Sequence, residues 1–350
     1  MAPVRCSSPA AQSKFLPLWL HCPIISINPI ISINEEKIMA KVAVVQEPPV
    51  YLDLAKSIDR AVTLIADCAD KGCNLIVFPE AWLPGYPTFV WRLAPGAGMG
   101  KTDALYARLL ANSVDLSKGG LKPIQDAAKE HGVVVVLGYQ EVDGTSSGST
   151  IFNSCAIIDA DGRLANNHRK LMPTNPERMV WGFGDGSGLN VVETAVGRIG
   201  ALICWENFMP LARYALYAQN IEIYVAPTWD SGDMWQATMQ HIAREGGCWV
   251  IGCATALEAS DIPDDVLYRD ELFPNKDEWV NPGDAVVYKP FGGLVAGPMH
   301  REKGLLIAEI DITTVQAARR KFDATGHYAR PDVFSLSVNR AAMRPVSFTA

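Results

Sequence analysis

Three strand-like stretches of the chain, two of them apolar, each end in a residue type that takes part in covalent catalysis. NLIVFPE ends at Glu80, GRLANNHRK ends at Lys170 and VGRIGALIC ends at Cys204. Loops at the carboxyl ends of strands are common places for active-site residues, because a rigid sheet holds them. A thiolate attacks carbon, a lysine supplies positive charge, and a glutamate can accept the thiol proton. Together these residues predict a site for nucleophilic catalysis by cysteine.

A fourth strand-like stretch, VVVVLGYQE, ends at Glu141. We expect its carboxylate to hold Lys170 charged and oriented, because a nearby opposite charge favours the ionised form. Each residue alone has an ordinary alternative, such as a surface lysine, a turn glutamate or a buried core thiol. His168 is predicted to be a loop or supporting residue rather than a catalytic base. The hypothesis therefore depends on the four residues occurring together.

The elements that must position these residues alternate between short apolar strands and helical segments. Strands are predicted at 41–46, 74–78, 133–140, 151–159, 196–204, 221–227 and 248–254, with a strand-like stretch before Lys170. Helices are predicted at 52–71, from Pro123 to about His131, through Ala212 and Ala218, and at 234–245. Strands joined by helices, and others joined by short turns, predict an α/β fold of mixed sheets covered by helices.

Two stretches do not follow this alternation. The segment 258–283 is rich in Asp, Pro and Glu and lacks periodicity, which predicts a functional loop or an oligomer contact. Residues 1–38 contain the tandem hexapeptide PIISIN–PIISIN and are predicted to be an extended leader outside the catalytic fold.

The composition restricts the possible partners and compartment. The 350 residues carry a net charge of −7, which gives no electrostatic reason to bind nucleic acid or an anionic membrane. Several of the eight cysteines lie in apolar runs, and a chain of this length needs no disulfides, so a reducing, cytoplasmic compartment is predicted. The sequence has no CxxC or HExxH motif, and no metal site is predicted.

Four longer segments resemble the nitrilase family. FPEAWLPGYP (78–87), HRKLMPTNPERMVWGFGDGS (168–187) and LICWENFMPLARYALYAQ (202–219) resemble its Glu, Lys and Cys motifs, and GHYARPDVF (326–334) is similar to its C-terminal signature. Glu80, Lys170 and Cys204 fall on the catalytic positions of these motifs. Glu141 falls where the family has its second structural or catalytic glutamate.

The resemblance implies a fold, an assembly and a mechanism. It implies a four-layer α-β-β-α sandwich over residues 39–338, followed by a C-terminal tail at 339–350. It also implies subunits that pair and assemble further into spirals or filaments. In the implied reaction Cys204 forms a thioimidate with a nitrile, Glu80 transfers protons and Lys170 stabilises the tetrahedral species, without metal or organic cofactor.

The residues after the cysteine help to separate the branches of the superfamily. Trp205 and Glu206 follow Cys204, and this Cys-Trp-Glu run resembles nitrile-cleaving members. An aliphatic amidase or carbamoyl hydrolase, which has the same three residues, remains an alternative. A cyanide-converting enzyme and a non-catalytic scaffold that keeps the fold are further alternatives.

Aromatic residues near the implied pocket suggest a substrate class. By the resemblance, Tyr86, Trp205 and Trp229 bind the substrate, and the pocket lies near 86–91, Trp205 and 228–235. The further aromatics in these stretches are Phe89, Trp91 and Trp235. Such a wall would suit an aryl or arylaliphatic nitrile.

Overall fold

The computed structural model describes residues 39–94, 96–144, 147–343 and 346. The predicted leader at 1–38 lies outside the described residues. The strands are β1 (Met39–Val45), β2 (Leu75–Val77), β3 (Val134–Val142), β4 (Ile151–Ile158), β5 (Leu164–Arg169), β6 (Val192–Thr194), β7 (Gly197–Ala201), β8 (Ile223–Thr228), β9 (Trp249–Ala254), β10 (Ala256–Glu258), β11 (Trp279–Lys289), β12 (Gly293–His300) and β13 (Leu305–Asp311).

The α-helices lie between these strands and after the last one. They are α1 (Leu54–Asp70), α2 (Met99–Ala111), α3 (Lys122–His131), α4 (Pro210–Tyr217), α5 (Asp233–Gly246), α6 (Arg269–Leu272) and α7 (Thr314–Arg319). In the part of the chain that the structure describes, no helix has the length and apolar character needed to cross a bilayer.

Local sequence signals set the ends of the helices that the sequence predicts. Asp53 caps the start of α1, because its carboxylate accepts a hydrogen bond from the backbone N–H of Lys56 at 3.0 Å. Pro123 lies in the first turn of α3, where its missing N–H costs nothing. Gly132 ends α3 with a left-handed φ of 62°, which a glycine adopts without strain.

Two mixed sheets form the centre of the fold. The first has the order β13-β1-β2-β3-β4-β5, and the second has the order β10-β11-β9-β8-β7-β6 with β12 paired to β11. The strands β1, β2 and β3 run parallel, as do β7, β8 and β9, whereas the outer neighbours pair antiparallel. The prediction of mixed sheets is therefore confirmed.

The side chains of the strands fill two kinds of core. On β1, Val42 and Val44 lie in the core between the sheets, whereas Ala43 and Val45 lie on the outer face. This alternation follows from the extended backbone, in which successive side chains point to opposite faces. Burial on both faces explains why the central strands are mostly apolar.

Helices cover the outer face of each sheet. The helices α1 and α3 pack on the first sheet through residues such as Ile65 and Ile124. The helices α4 and α5 pack on the second sheet through residues such as Leu216 and Met239. This arrangement is the predicted four-layer α-β-β-α sandwich.

The segment 258–283 has more order than its sequence suggests. It contains α6, and β11 begins inside it at Trp279. Ile262, Leu272 and Phe273 are buried in a cluster with Phe89. The apolar residues are spaced irregularly because the chain between β10 and α6 is irregular. Its predicted role as a functional loop or oligomer contact remains a prediction.

The described part of the C-terminal tail contacts the body of the fold. The backbone N–H of Met343 donates to the carboxylate of Asp185 at 2.8 Å. A Cβ at Gly186 would lie only 2.1 Å from the carbonyl oxygen of Asn339, so the two backbones are in close contact there. The tail therefore lies against the turn that follows the Lys170 segment.

Candidate active site

Glu80 follows β2, an inner strand of the first sheet, and lies at the carboxyl end of that strand. The backbone N–H of Phe78 continues the ladder to β3 by donating to Val136 at 2.8 Å. The neighbouring strand approaches very closely at Gly138, where a Cβ would lie 2.1 Å from the carbonyl oxygen of Pro79. A residue without a side chain is therefore required at 138 for the Glu80 loop to lie where it does.

Lys170 follows β5, the last strand of the same sheet. Its backbone N–H donates to Asn153 of β4 at 2.8 Å, and its carbonyl accepts from Gly184 at the same distance. These bonds fix the backbone on both sides of the residue. The residue is 1% exposed, which is exceptional for a lysine and requires charged partners.

Cys204 comes from the second sheet, three residues after β7. Its φ is 52°, a left-handed conformation that non-glycine residues adopt rarely and that is common at functional sites. The side-chain amide of Asn207 donates to the carbonyls of Leu202 and Cys204 at 3.0 and 2.7 Å. These bonds hold the sharp turn that presents the thiol.

The three predicted residues meet in one buried cluster. The Lys170 ammonium donates to Glu80 at 2.8 Å and to Glu177 at 2.7 Å. One oxygen of Glu80, one oxygen of Glu177 and the Cys204 sulfur lie within 4.8 Å of one another. Strand ends from both sheets thus bring Cys204, Lys170 and Glu80 together, and a short 3-10 helix after Lys170 adds Glu177.

Glu177 is the member of this cluster that the sequence analysis did not identify. Its carboxylate accepts from Lys170, from the hydroxyl of Tyr86 at 2.6 Å and from the backbone N–H of Thr174 at 2.6 Å. The signal in the sequence is the run Thr174-Asn-Pro-Glu177, which has the form of a helix capping box. That pattern indicates a structural role and does not reveal the contact with Lys170.

Burial and neighbouring charges shift the pKa values of the cluster. Burial raises the pKa of Glu80 to about 7, although Lys170 opposes the effect. Burial and the charge of Glu80 raise the pKa of the Cys204 thiol, and Lys170 lowers it. Burial alone would lower the pKa of Lys170, but Glu80, Cys204 and Glu177 raise it above its usual value. Lys170 is therefore charged in the cluster. The thiol of Cys204, whose pKa is raised, needs a base to remove its proton.

Glu141 on β3 binds a different cation from the other predicted carboxylate. Its buried carboxylate accepts from Arg169 Nε at 3.0 Å, from the Ser154 hydroxyl at 2.6 Å and from Asn167 at 2.9 Å. The expectation that it contacts Lys170 is wrong, because adjacent residues of an extended segment point to opposite sides. Arg169 faces Glu141, and Lys170 faces Glu80 and Glu177.

His168 is buried in β5 and bonded to Glu206, at 3.1 and 3.0 Å to the two carboxylate oxygens. It does not belong to the cluster around the Lys170 ammonium. The structure therefore places it as a supporting residue, although in a strand rather than a loop.

A cavity of about 130 Å³ opens over Cys204. Tyr86 and Trp229 stack on one another with ring centres 4.4 Å apart. Trp205 is 46% exposed, and its indole N–H donates to Asp230 at 2.8 Å. The lining residues are Tyr86, Trp91, Thr174, Glu177, Cys204, Trp205, Trp229 and Asp230.

Two of the aromatics expected near the pocket are core residues instead. Phe89 is buried among Tyr51, Leu105 and Phe273, and Trp235 is buried against the second sheet. The interior face of a helix and a substrate wall both need large apolar side chains, so residue type alone does not distinguish them. Tyr86, Trp205 and Trp229 do line the cavity.

The donor types of the cluster could hold a cation. Glu80, Glu177 and Cys204 offer two carboxylates and a thiol at short range. The Lys170 ammonium, however, is bound to both carboxylates and already supplies positive charge there. The expectation of a reaction without metal or organic cofactor stays a prediction.

Comparisons with known proteins agree with this geometry. Residues 41–320 match the family model described as carbon–nitrogen hydrolase. The bifunctional nitrilase/nitrile hydratase NIT4B of Nicotiana tabacum is 39% identical over 324 residues, covering 91% of each chain. Nitrilase 3 of Arabidopsis thaliana is 38% identical and covers 88% of this chain and 89% of its own. An aliphatic nitrilase of Sinorhizobium fredii is 40% identical and covers 85% of this chain and 95% of its own.

Solved structures share the fold at lower identity. A carbon–nitrogen hydrolase from Helicobacter pylori G27 has a TM-score of 0.66 at 20% identity, covering 85% of this chain and 97% of its own. Nit3 of Saccharomyces cerevisiae has a TM-score of 0.63 at 19% identity, covering 83% and 96%. The likeness extends over nearly the whole of each of these chains.

Proposed function

The chain belongs to the carbon–nitrogen hydrolase family, and from this premise we propose that it is a nitrilase, which hydrolyses organic nitriles to a carboxylic acid and ammonia. The observation that carries the proposal is the buried cluster of Cys204, Lys170 and two glutamates below an aromatic cavity. A neutral, linear nitrile can reach the thiol through this cavity.

The first half of the proposed reaction forms a thioimidate on Cys204. Glu80 accepts the thiol proton, and the sulfur attacks the nitrile carbon as the proton passes to the nitrile nitrogen. One oxygen of Glu80 is bound to Lys170 and Asn153, while the other has no hydrogen-bond partner in the described residues and is available as the base. Lys170 stabilises negative charge that develops on the attacked substrate.

The second half releases the products with the same groups. Water adds to the thioimidate carbon with Glu80 as base, and ammonia leaves with a proton to give a thioester on Cys204. A second water cleaves the thioester and restores the thiol. The sum is one nitrile and two waters converted to one carboxylic acid and one ammonia. Loss of the thiol instead of ammonia after the first water would release an amide.

Two further glutamates support Lys170 in different ways in this proposal. Glu177 acts beside Glu80, because its carboxylate contacts the ammonium directly and lies within reach of the thiol. Glu141 acts at a distance, because it holds Arg169 and thereby the end of the strand that carries Lys170. In this proposal Glu141 is a positioning residue.

We propose an aryl or arylaliphatic nitrile as the preferred substrate. The stacked rings of Tyr86 and Trp229 and the exposed face of Trp205 give the cavity aromatic walls. The volume of about 130 Å³ is close to that of an apolar cavity known to hold one benzene molecule, about 150 Å³. The relative from Sinorhizobium fredii is named an aliphatic nitrilase, so both classes must be assayed.

We also propose a homo-oligomer in a reducing, cytoplasmic compartment. Leu211 on α4 and Met234 on α5 are 67% and 79% exposed, and such apolar surface is typical of association sites. The cysteines of the described residues are free thiols, which suits a reducing compartment.

The experiment that tests the function measures ammonia, acid and amide from phenylacetonitrile, a short dinitrile, cyanide and the matching amides. We expect acid and ammonia from nitriles, with the highest kcat/KM for phenylacetonitrile. Turnover of amides but not nitriles would identify an amidase or carbamoyl hydrolase, and turnover of cyanide alone would identify a cyanide-converting enzyme. A short aliphatic nitrile ahead of phenylacetonitrile would overturn the aryl preference only.

The variant Cys204→Ala tests the mechanism and the scaffold alternative together. We expect no acid or ammonia above the uncatalysed rate, with an unchanged melting temperature and assembly. Full turnover by Cys204→Ala would refute the thioimidate route, and an inactive wild-type chain that still assembles would favour the scaffold.

A further inference from the structure

One buried carboxylate joins the two backbone segments that carry the lysine and the nucleophile. The side chain of Glu206 is 0% exposed. One of its oxygens accepts from the backbone N–H of Leu171 at 2.7 Å, and the other accepts from the backbone N–H of Ile203 at 2.7 Å. Leu171 directly follows Lys170, and Ile203 directly precedes Cys204.

The position of these bonds matters because the two segments belong to different sheets. Lys170 follows β5 of the first sheet, and Cys204 follows β7 of the second. Glu206 spans the gap between the two strand ends with a single rigid group. The two oxygens of a carboxylate have a fixed separation, so the two N–H donors are held at a fixed distance from each other.

His168 holds this carboxylate from a third side. Its Nε2 lies 3.1 and 3.0 Å from the two oxygens of Glu206, and because an ionised carboxylate only accepts, Nε2 carries the proton in this contact. Its Nδ1 has no hydrogen-bond partner in the described residues, and the backbone of Gly188 lies so close that a Cβ there would be 3.0 Å from that nitrogen. The imidazole is therefore confined to a single orientation, facing Glu206.

The charge state of Glu206 fits this role. Burial by itself would raise its pKa, but His168 and the N–H groups of Leu171 and Ile203 hold the pKa below its usual value. The carboxylate thus remains an acceptor for all three donors at neutral pH. A protonated acid would lose one acceptor position beside two fixed backbone donors.

We propose that Glu206, held by His168, is a positioning residue that sets the distance between the Lys170 ammonium and the Cys204 sulfur. Glu206 touches neither substrate nor sulfur in this proposal and acts through the backbone on both sides. A displacement of about 1 Å between reacting groups can reduce a rate about 100-fold, so this link has a direct effect on turnover. The inference rests on the proposed function of the Cys204 cluster.

Glu206→Gln is the first test. The amide retains one acceptor oxygen but turns an NH₂ group toward one of the two backbone N–H donors, which forces the segments apart. We expect kcat for the best nitrile to fall at least about 100-fold while KM changes less than about threefold. We also expect slower alkylation of Cys204 by iodoacetamide, with the pH midpoint of the rate moved upward as Lys170 moves away.

Glu222→Gln is the control for loss of a carboxylate that accepts a backbone N–H. Glu222 is partly buried and accepts from the backbone N–H of Arg198 at 2.9 Å, near the start of β7 and away from the Lys170 and Cys204 segments. We expect this variant to lose melting temperature without a change in the alkylation profile of Cys204. Equal effects of the two variants on kcat and on alkylation would show a merely structural role and would overturn the inference.

A second pair of variants keeps the test decisive if Glu206→Gln does not fold. His168→Gln places an amide N–H near the position of Nε2, whereas His168→Leu removes the donor at similar volume. We expect His168→Gln to keep kcat within about fivefold and His168→Leu to lose at least tenfold. Equal kcat values for the two variants would overturn the inference.

The alkylation assay separates failure of this inference from failure of the proposed function. It reports the environment of the Cys204 thiol without any nitrile, and the modified peptide is identified by mass spectrometry. If the wild type hydrolyses amides rather than nitriles, the same four variants are compared on the amide. An unchanged alkylation profile in both Glu206→Gln and His168→Leu refutes the positioning role whatever the substrate is.

Discussion

Each reactive group of the site depends on another group for its charge. Lys170 is buried and stays charged only because two carboxylates contact it. Glu80 is buried too, and its pKa near 7 makes it a base that titrates close to neutral pH. The thiol of Cys204 has a raised pKa and therefore needs that base. Removing one member of the set changes the others, so single variants will not have additive effects.

The raised pKa of Glu80 predicts the acid side of the pH profile. Glu80 must be ionised to accept the thiol proton, so kcat/KM should rise tenfold per pH unit below about 7 and level off above it. Initial rates between pH 5 and 9 measure this. A plateau extending down to pH 5, where the folded state persists, would contradict the assignment of Glu80 as the base.

Glu177→Gln tests the contribution of the second carboxylate. The amide turns a donor toward Lys170 or the Thr174 N–H, and the ammonium loses half of its compensating charge. We expect kcat to fall about 100- to 1000-fold, the range seen when one electrostatic group of an active site is removed.

Glu193→Gln on β6 is the control for Glu177→Gln, because Glu193 is exposed. We expect wild-type kcat from it. A similar small change in both variants would place Glu177 outside the mechanism.

The sequence predicts some residues of the site better than others, for a physical reason. Glu80, Lys170 and Cys204 each follow a strand-like stretch, and a sheet brings strand ends together. Glu177 lies in a short 3-10 helix (Asn175–Met179), which is too short for its periodicity to indicate which way the side chain points. Glu141 was expected to contact Lys170 because it also ends a strand and carries the opposite charge, but its contact is with Arg169. A shift of one residue along an extended chain reverses the face.

At the scale of elements, continuous apolar runs decide which strands the sequence reveals. The strands β3 and β8 contain such runs and were predicted. The strand β11 is largely buried but was not predicted, because Asn281, Pro282 and Gly283 interrupt it. The strand β12 was not predicted either, because it is largely exposed and contains Gly297 and Pro298. The helix α2 begins without a capping side chain and was missed as well. Its place is set by packing against the 88–91 turn and the 258–283 segment.

Gly138 on β3 determines how closely that strand approaches the Glu80 loop. A Cβ there would meet the Pro79 carbonyl at 2.1 Å and the Ala81 nitrogen at 2.7 Å, and both are backbone atoms. Gly138→Ala should therefore lower stability by about 1–3 kcal/mol, the usual cost of overpacking, and reduce kcat about 100-fold by moving Glu80. Thermal unfolding and initial rates measure the two effects.

Gly100→Ala is the matched control for Gly138→Ala. Gly100 lies in α2 with open space where a Cβ would be built. Alanine favours a helix over glycine, so this variant should gain about 0.5–1 kcal/mol and keep its kcat. Wild-type activity in Gly138→Ala would show that the Glu80 loop tolerates displacement.

At the scale of the whole molecule, the site lies where the two sheets meet. Glu80 and Lys170 come from one sheet and Cys204 comes from the other. The cluster therefore forms only when the two sheets pack together, and no single stretch of sequence specifies that packing. The resemblance to the nitrilase family predicts that Glu80, Lys170 and Cys204 act in one site. The pattern of apolar residues alone predicts only mixed sheets covered by helices.

Leu211→Glu tests the proposed oligomer. Leu211 is 67% exposed on α4, so a charge there costs the folded subunit little but would be costly in an apolar interface. We expect a lower molar mass by light scattering with the melting temperature of the subunit changed only slightly. Leu294→Glu on the exposed side of β12 is the control, since Leu294 is 51% exposed on a different element. An unchanged mass for Leu211→Glu would exclude α4 from the interface.

The unequal number of charges around Lys170 has a consequence for how a turnover ends. One ammonium lies between two carboxylates, so the cluster carries a net negative charge when both glutamates are ionised. A nitrile arrives uncharged, but the acid that forms in its place loses a proton and becomes an anion. In a buried setting of low dielectric, like charges repel strongly. The reaction thus replaces an uncharged substrate with an anionic product. Repulsion between this anion and the carboxylates of the cluster favours release of the product.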